Sequence, residues 1–244
     1  MIRVRDSALK VDPTIIYPDS DGQPMSDNTK QYEYIVTIHT GLEALFADDP
    51  NVFVAADLLW YTVEGWPSIR CAPDVMVIFG RPKGHRGSYK QWVEGVAPQV
   101  AFEILSPGNT VSEMRDKREF YEEYGVVEYI EYDPDRGKLE VWERQGAKLS
   151  KVIFGREWQS KLLNIKLRLE ETGDLSVFYP DGQKFKRPVE EALTSRREHQ
   201  RAELEHERAE MERERAQRAE ELNQRLAAKL RELGVDPEIV TGAE

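Results

Sequence analysis

Asp74, Glu103 and Lys117 are the residues of this chain whose types and surroundings could do chemistry together. Asp74 follows Pro73 and opens the apolar run V-M-V-I-F-G, and Glu103 sits inside V-A-F-E-I-L, residues 100–105. Both runs read as strands buried on both faces, where a carboxylate is costly unless something partners it. Thr110 and Glu113 form a T-x-x-E capping box, so the spacing predicts a helix from Val111 to Tyr124 with Gly125 as its left-handed stop. Met114, Lys117, Tyr121 and Tyr124 share one face of it, which sets an ammonium inside a packing stripe and calls for acidic partners at the strand ends. Two strand-borne carboxylates and a lysine can hold a divalent cation, Mg²⁺ or Mn²⁺, and turn its water onto a phosphodiester. The carboxylates bind the metal, the metal acidifies the water, and the ammonium stabilises charge on the phosphoryl oxygens.

The rest of the chain supplies a frame for these three. A helix is expected from Lys30 to Ala47, with Ile35, Ile38, Leu42, Leu45 and Phe46 on one face; Gln31 shares that face and Glu33 points away. V-F-V-A-A-D-L-L-W-Y, residues 52–61, reads as a strand returning through Glu64-Gly65-Trp66-Pro67 towards Asp74 as a hairpin. Asp57 inside it is open to a structural role or a role supporting the site. After the central helix, V-V-E-Y-I-E-Y and K-L-E-V-W-E-R alternate as strands. The order helix, hairpin, strand, helix, strand, strand predicts an α/β fold, a mixed central sheet flanked by helices. Two further stretches, L-N-I-K-L-R-L-E and D-L-S-V-F-Y-P-D-G, read as an antiparallel extension that completes or covers the sheet. Tyr121 and Tyr124 read as core rather than as base-stacking platforms.

The P-D…E arrangement with a downstream lysine resembles the signature of the restriction-endonuclease-like PD-(D/E)XK nuclease superfamily. The fuller set of pieces is similar to the Uma-two endonuclease family: D-G-Q-P-M, D-L-L-W-Y, A-P-D-V-M-V-I-F-G, S-Y-K-Q-W-V-E, F-E-I-L-S-P, K-R-E-F-Y-E-E-Y-G-V-V-E-Y and Y-D-P, over roughly residues 20 to 185. The position two after Glu103 is Leu105 rather than lysine; related families move that lysine to the following helix, where the facial argument independently puts Lys117. The resemblance implies a restriction-endonuclease-like fold, DNA as substrate and Mg²⁺ or Mn²⁺ as cofactor. It implies Asp74 and Glu103 as metal ligands with the Ile104 carbonyl joining them, Lys117 as the residue orienting water or phosphate, and Gln31 as an accessory residue from the first helix. It also implies cleavage by pairs of domains, hence a homodimer, which no residue requires.

The formal charge is −11; residues 189–244 hold 10 Lys and Arg against 15 Asp and Glu and the first 188 residues hold 24 against 30, so both parts are acidic. That argues against strong nonspecific nucleic-acid binding and demands a local basic surface. R-P-K-G-H-R-G-S-Y-K, Arg81 to Lys90, follows the Asp74 strand, so Arg81, Lys83 and Arg86 are candidate phosphate contacts; a solvated surface loop is the alternative. The lone Cys71 excludes a disulfide framework and zinc fingers, and the four histidines are scattered. No membrane span or signal peptide is evident, so a soluble, cytoplasmic protein is expected.

Composition divides the chain into an N-terminal arm (1–29), the α/β domain (30–188), a charged helical arm (189–233) and a tail (234–244). The arm repeats R-A-E-L-E-H-E, R-A-E-M-E-R-E, R-A-Q-R-A-E-E from Arg201 without a proper coiled-coil seam. Ala219, Leu222, Leu226, Leu230 and Leu233 form one near its end, ahead of Gly234 and Pro237, so the arm reads either as a site for a protein partner or as a solvated helix. Three functions follow: a metal-dependent endonuclease, a catalytically silent nuclease-like scaffold that recruits partners through the arm, or a binding module whose buried charges are structural.

Overall fold

The computed structural model describes residues 14–234; the expected stretches before and after, including Pro237 as a helix stop, lie outside the described residues. The chain runs α1 (Thr29–Leu45), β1 (Val52–Ala56), β2 (Trp60–Tyr61), β3 (Arg70–Cys71), β4 (Val75–Phe79), β5 (Tyr89–Lys90), α2 (Gln91–Glu94), β6 (Val100–Ile104), α3 (Val111–Tyr124), β7 (Glu128–Asp133), β8 (Lys138–Gln145), β9 (Lys148–Lys151), β10 (Glu157–Gln159), β11 (Lys166–Leu169), β12 (Leu175–Phe178) and α4 (Pro188–Glu232). Six strands form a mixed sheet in the order β1-β4-β6-β7-β8-β9, and the expected α/β class holds. Only β6 and β7 pair in parallel within it, because α3 carries the chain back over the sheet between them, as a parallel connection requires.

Period-two alternation divides the buried side chains between the two faces of this sheet. Val75, Val77, Val100, Phe102, Ile104, Ile130, Tyr132 and Val141 face α1 and the sheet β10-β11-β12, whose Trp158, Leu167 and Val177 join the same core. The expected antiparallel extension is therefore a separate three-stranded sheet covering one face. Met76, Ile78, Ala101, Tyr129 and Trp142 face the other way, into a second core with Trp60, Tyr89 and Tyr121. Glu103, between Phe102 and Ile104, belongs to this α3 side.

The expected single strand over 52–61 is broken. β1 ends at Ala56, Asp57 takes a left-handed conformation (φ 50°), and the chain re-enters as β2 in a different sheet, β3-β2-β5. The Asp57 N–H donates to the Pro73 and Asp74 carbonyls at 3.2 and 3.3 Å, and these bonds fix the turn. The described part of the N-terminal stretch lies on the same region: the Tyr17 ring meets Tyr61 edge-on at 5.2 Å, and its hydroxyl accepts the Gly65 N–H at 2.6 Å.

Two compact units meet between Pro188 and Val189. α4 buries none of its residues; Leu222, Leu226 and Leu233 are exposed, and ion pairs such as Arg218–Glu214 at 3.0 Å decorate its surface. Among the described residues no helix is long and apolar enough to cross a membrane.

Candidate active site

Strand register brings the acidic side chains into one lateral row. Ala56 pairs with Val75 and Val75 with Phe102, so one residue further along Asp57 stands by Asp74 and Asp74 opposite Glu103. Glu103 then pairs with Glu131, and Glu131 with Glu140. Alternation made each residue predictable as facing α3 or the opposite side; alignment across five strands needed the register.

α3 lays its cations and hydroxyls against this row. Its expected capping box is present: the Thr110 hydroxyl accepts from the Glu113 N–H at 3.2 Å, Glu113 accepts from the Thr110 N–H at 3.4 Å, and Gly125 closes the helix with φ 109°. From that start the helical phase delivers Lys117 Nζ to Glu103 Oε2 at 2.8 Å. Tyr121, one turn on, donates its hydroxyl to Glu103 Oε1. Glu103 is 2% exposed, so these two donors are what makes its burial tolerable.

Asp74 and Ile104 interlock beside it. Asp74 Oδ2 accepts the Ile104 N–H at 2.6 Å, and the Ile104 carbonyl accepts Gln31 Nε2 at 2.8 Å. Gln31 is buried and holds that carbonyl from α1, whereas Glu33 is exposed and pairs with Arg187 at 3.3 Å. Asp74, Glu103, Ile104, Lys117 and Gln31 thus converge on one end of β4 and β6.

The electrostatics of the cluster are those of a partly buried site with surplus negative charge. Burial, then the neighbouring Glu103 carboxylate, pushes the Asp74 carboxyl well above the usual carboxylate range, against the opposing Ile104 N–H and Lys117. Burial works against the charge on Lys117, but Glu103 overcomes it and holds the ammonium above its usual range. Burial and the adjacent acids push Tyr121 far up, keeping it a hydrogen donor, and push the Cys71 thiol up to about 12. The Asp57 carboxyl is raised by partial burial first and then by Asp21 and Glu103, against the opposing Lys117 ammonium.

A hard divalent cation fits this donor chemistry. Mg²⁺ is commonly held by one or two carboxylates and keeps several waters. Asp74 Oδ1 has no hydrogen-bond partner among the described residues, the Glu103 oxygens keep further lone pairs, and a cation would offset the charge that burial penalises on Asp74. Among the described residues no group of three or more His, Cys, Asp or Glu side chains is poised to hold a metal, so the fit rests on two carboxylates, a carbonyl and water.

Arg81, Lys83 and Arg86 are not part of this convergence. Asp74 precedes β4 and Arg81 follows its far end, where the Arg81 and Lys83 N–H groups bond to Asn51 and Pro50 before β1. These cations have other neighbours: Arg86 pairs with Glu94 at 2.7 Å and lies 4.0 Å over the Phe53 ring, and Lys83 is 4.0 Å from Glu43. Arg81, Lys83 and Arg86 therefore stand at the other end of β4 from Asp74, whereas Lys90, in β5, returns beside β2 opposite Tyr61.

Sequence reasoning missed three neighbours. Tyr121 is core, as expected, yet it is also a ligand of Glu103; its i+4 spacing from Lys117 was the available signal. Cys71 lies 3.3 Å from the Tyr121 hydroxyl, and Arg70 shares with Lys117 a cavity of about 500 Å³. No motif marks either residue.

Tyr121→Phe is expected to lower stability by about 1–2 kcal/mol, because it leaves a buried carboxylate oxygen short of a donor. Thermal melting measures that loss, and the same variant should need more Mg²⁺ for half-maximal thermal stabilisation, since Glu103 is then held by Lys117 alone. Unchanged melting and metal response would show that the Tyr121 hydroxyl does not orient Glu103.

The model of the Uma2 family, described as "Putative restriction endonuclease", matches residues 15–177. Among solved structures, the chain is similar to "a putative nuclease belonging to DUF820 from Anabaena variabilis ATCC 29413", with 13% identity and a TM-score of 0.44 over 56% of this chain and 75% of that one. No curated protein matches the chain.

Proposed function

The chain belongs to the Uma2 family of restriction-endonuclease relatives, and from that premise we propose that it is a metal-dependent endonuclease that hydrolyses DNA phosphodiester bonds. The observation that carries the reading is the meeting of Lys117 with Glu103 at 2.8 Å, beside Asp74, within the matched region. An α3 lysine, a β6 glutamate and an aspartate ahead of β4 meet at one end of β4 and β6 without sequence proximity.

Each residue has a role that its contacts support. Asp74 and Glu103 would hold Mg²⁺ or Mn²⁺, with the Ile104 carbonyl beside them. Such an ion supplies Lewis-acid stabilisation and a more acidic water. Gln31 fixes the Ile104 carbonyl, and Tyr121 fixes Glu103, so the donors are set before substrate arrives. Lys117 neutralises Glu103 in the resting protein and stabilises charge on the phosphoryl oxygens during attack.

Incubation of purified protein with supercoiled and linear duplex DNA tests the reading. Cleavage in Mg²⁺ or Mn²⁺ and none in EDTA is the expected result. No cleavage with either metal, across both substrates, would favour the alternative of a silent nuclease-like scaffold.

A further inference from the structure

We propose that Arg70 is a substrate-binding residue of this site, holding the DNA backbone phosphate next to the one under attack. The proposal rests on the nuclease reading above and extends it to how an acidic protein grips its substrate.

The cavity of about 500 Å³ beside the site has Arg70 on its β3 wall and Lys117 on its α3 wall. Two cations of different elements therefore face one space. Arg70 is held rather than free: its Nη1 donates to the Tyr61 hydroxyl at 3.2 Å, and its guanidinium carbon lies 5.8 Å from the Tyr61 ring centre. That hydroxyl spends its own proton on the Pro18 carbonyl at 2.7 Å, so its lone pair is oriented to receive Arg70.

Holding is not neutralisation. Among the described residues Arg70 has no carboxylate within ion-pair distance, in contrast to Arg86 with Glu94 at 2.7 Å, Arg168 with Glu157 at 2.8 Å and Arg156 with Glu171 at 3.3 Å. A guanidinium has five N–H donors in a planar fork matched to phosphate oxygens, and one such contact leaves the rest available. The acids on the same cavity wall are engaged elsewhere: Glu113 in the α3 cap and Asp116 with Arg115 at 3.3 Å. With a net charge of −11, the protein needs local positive charge where the backbone approaches, and Arg81, Lys83 and Arg86 follow the far end of β4 with neighbours of their own.

The test compares wild type with Arg70→Ala, Arg70→Met and Arg70→Lys. Steady-state cleavage of a fluorescein-labelled duplex is measured in Mg²⁺, and duplex binding by anisotropy across a salt series with Ca²⁺ in place of Mg²⁺. Arg70→Ala and Arg70→Met should raise KM about tenfold, with a smaller fall in kcat, and should reduce the slope of log affinity against log salt by about one. Arg70→Lys should restore most of that slope, because it keeps the charge. Melting curves accompany every variant, and the Met variant preserves side-chain length should the Ala variant fold poorly. Wild-type cleavage with unchanged KM and salt slope in the Ala and Met variants would overturn the role of Arg70 and leave the nuclease reading standing. So would losses that follow lowered melting temperature in all three variants. A wild type that neither cleaves nor binds duplex overturns the nuclease reading and this proposal with it.

Discussion

Asp74→Asn is expected to lower metal-dependent DNA cleavage on the order of a thousandfold, the scale on which a lost electrostatic partner in a preorganised site is felt. The substitution keeps the shape of the side chain and an oxygen that can accept the Ile104 N–H, so the fold should survive. Stability separates this loss from simple unfolding. The Asp74 carboxyl has a native pKa above its ordinary 3.8, which means that the native state holds the proton more tightly than the unfolded chain. The metal-free protein should therefore lose stability as pH rises from about 4 through the native pKa, and recover it on acidification. Asp74→Asn should escape its share of that loss, leaving what the similarly raised Asp57, Glu128 and Glu131 contribute. At alkaline pH the inactive variant should melt no lower than the metal-free wild type. Melting curves at several pH values, with EDTA and then with Mg²⁺, measure this; a variant that is inactive and also much less stable would point to a structural aspartate.

Lys117→Met should be both inactive and destabilised, and the second effect should be reversible by another mutation. Removing the ammonium leaves Glu103, with its side chain 3% exposed, holding a buried charge that Tyr121 alone must support. Breaking a buried pair from one side costs about 3–5 kcal/mol. The lower end applies because the Lys117 side chain is 24% exposed. A loss of about 3 kcal/mol corresponds to a melting shift of roughly 6–12 °C for a domain of this size. Glu103→Gln alone strands the ammonium instead. The double variant Lys117→Met/Glu103→Gln removes both charges and should recover most of the stability that either single variant loses, while cleavage stays absent in all three. Additive losses in the double variant would mean that the two side chains do not act as a pair.

The parts of the site written in local chemistry were legible in the sequence. The T-x-x-E box fixed where α3 begins, the 3.6-residue period put Lys117 and Tyr121 on its buried face, and the β-branched and aromatic run around Glu103 marked β6 as a buried strand. A lysine on a helix face and a glutamate in the preceding strand need each other when both are buried, which is why their contact could be anticipated. What depended on the path of the chain was not legible. Asp57 lies in a run that reads as uninterrupted strand, and its left-handed turn is fixed by carbonyls from Pro73 and Asp74, which are distant in sequence. Arg70 occupies a two-residue strand that no periodicity can reveal. Arg81, Lys83 and Arg86 follow the Asp74 strand closely in sequence, yet a strand as short as β4 still carries the chain roughly 15 Å away.

The central claim is that Asp74 and Glu103 jointly hold a divalent metal ion with Lys117 at its side. Anomalous diffraction from crystals of the wild-type protein soaked in Mn²⁺ tests it most directly. The account predicts a manganese peak within bonding reach of an Asp74 oxygen and a Glu103 oxygen, absent from Asp74→Asn crystals soaked identically. Clear density for both carboxylates with no peak between them, or a peak retained in the variant, would contradict it.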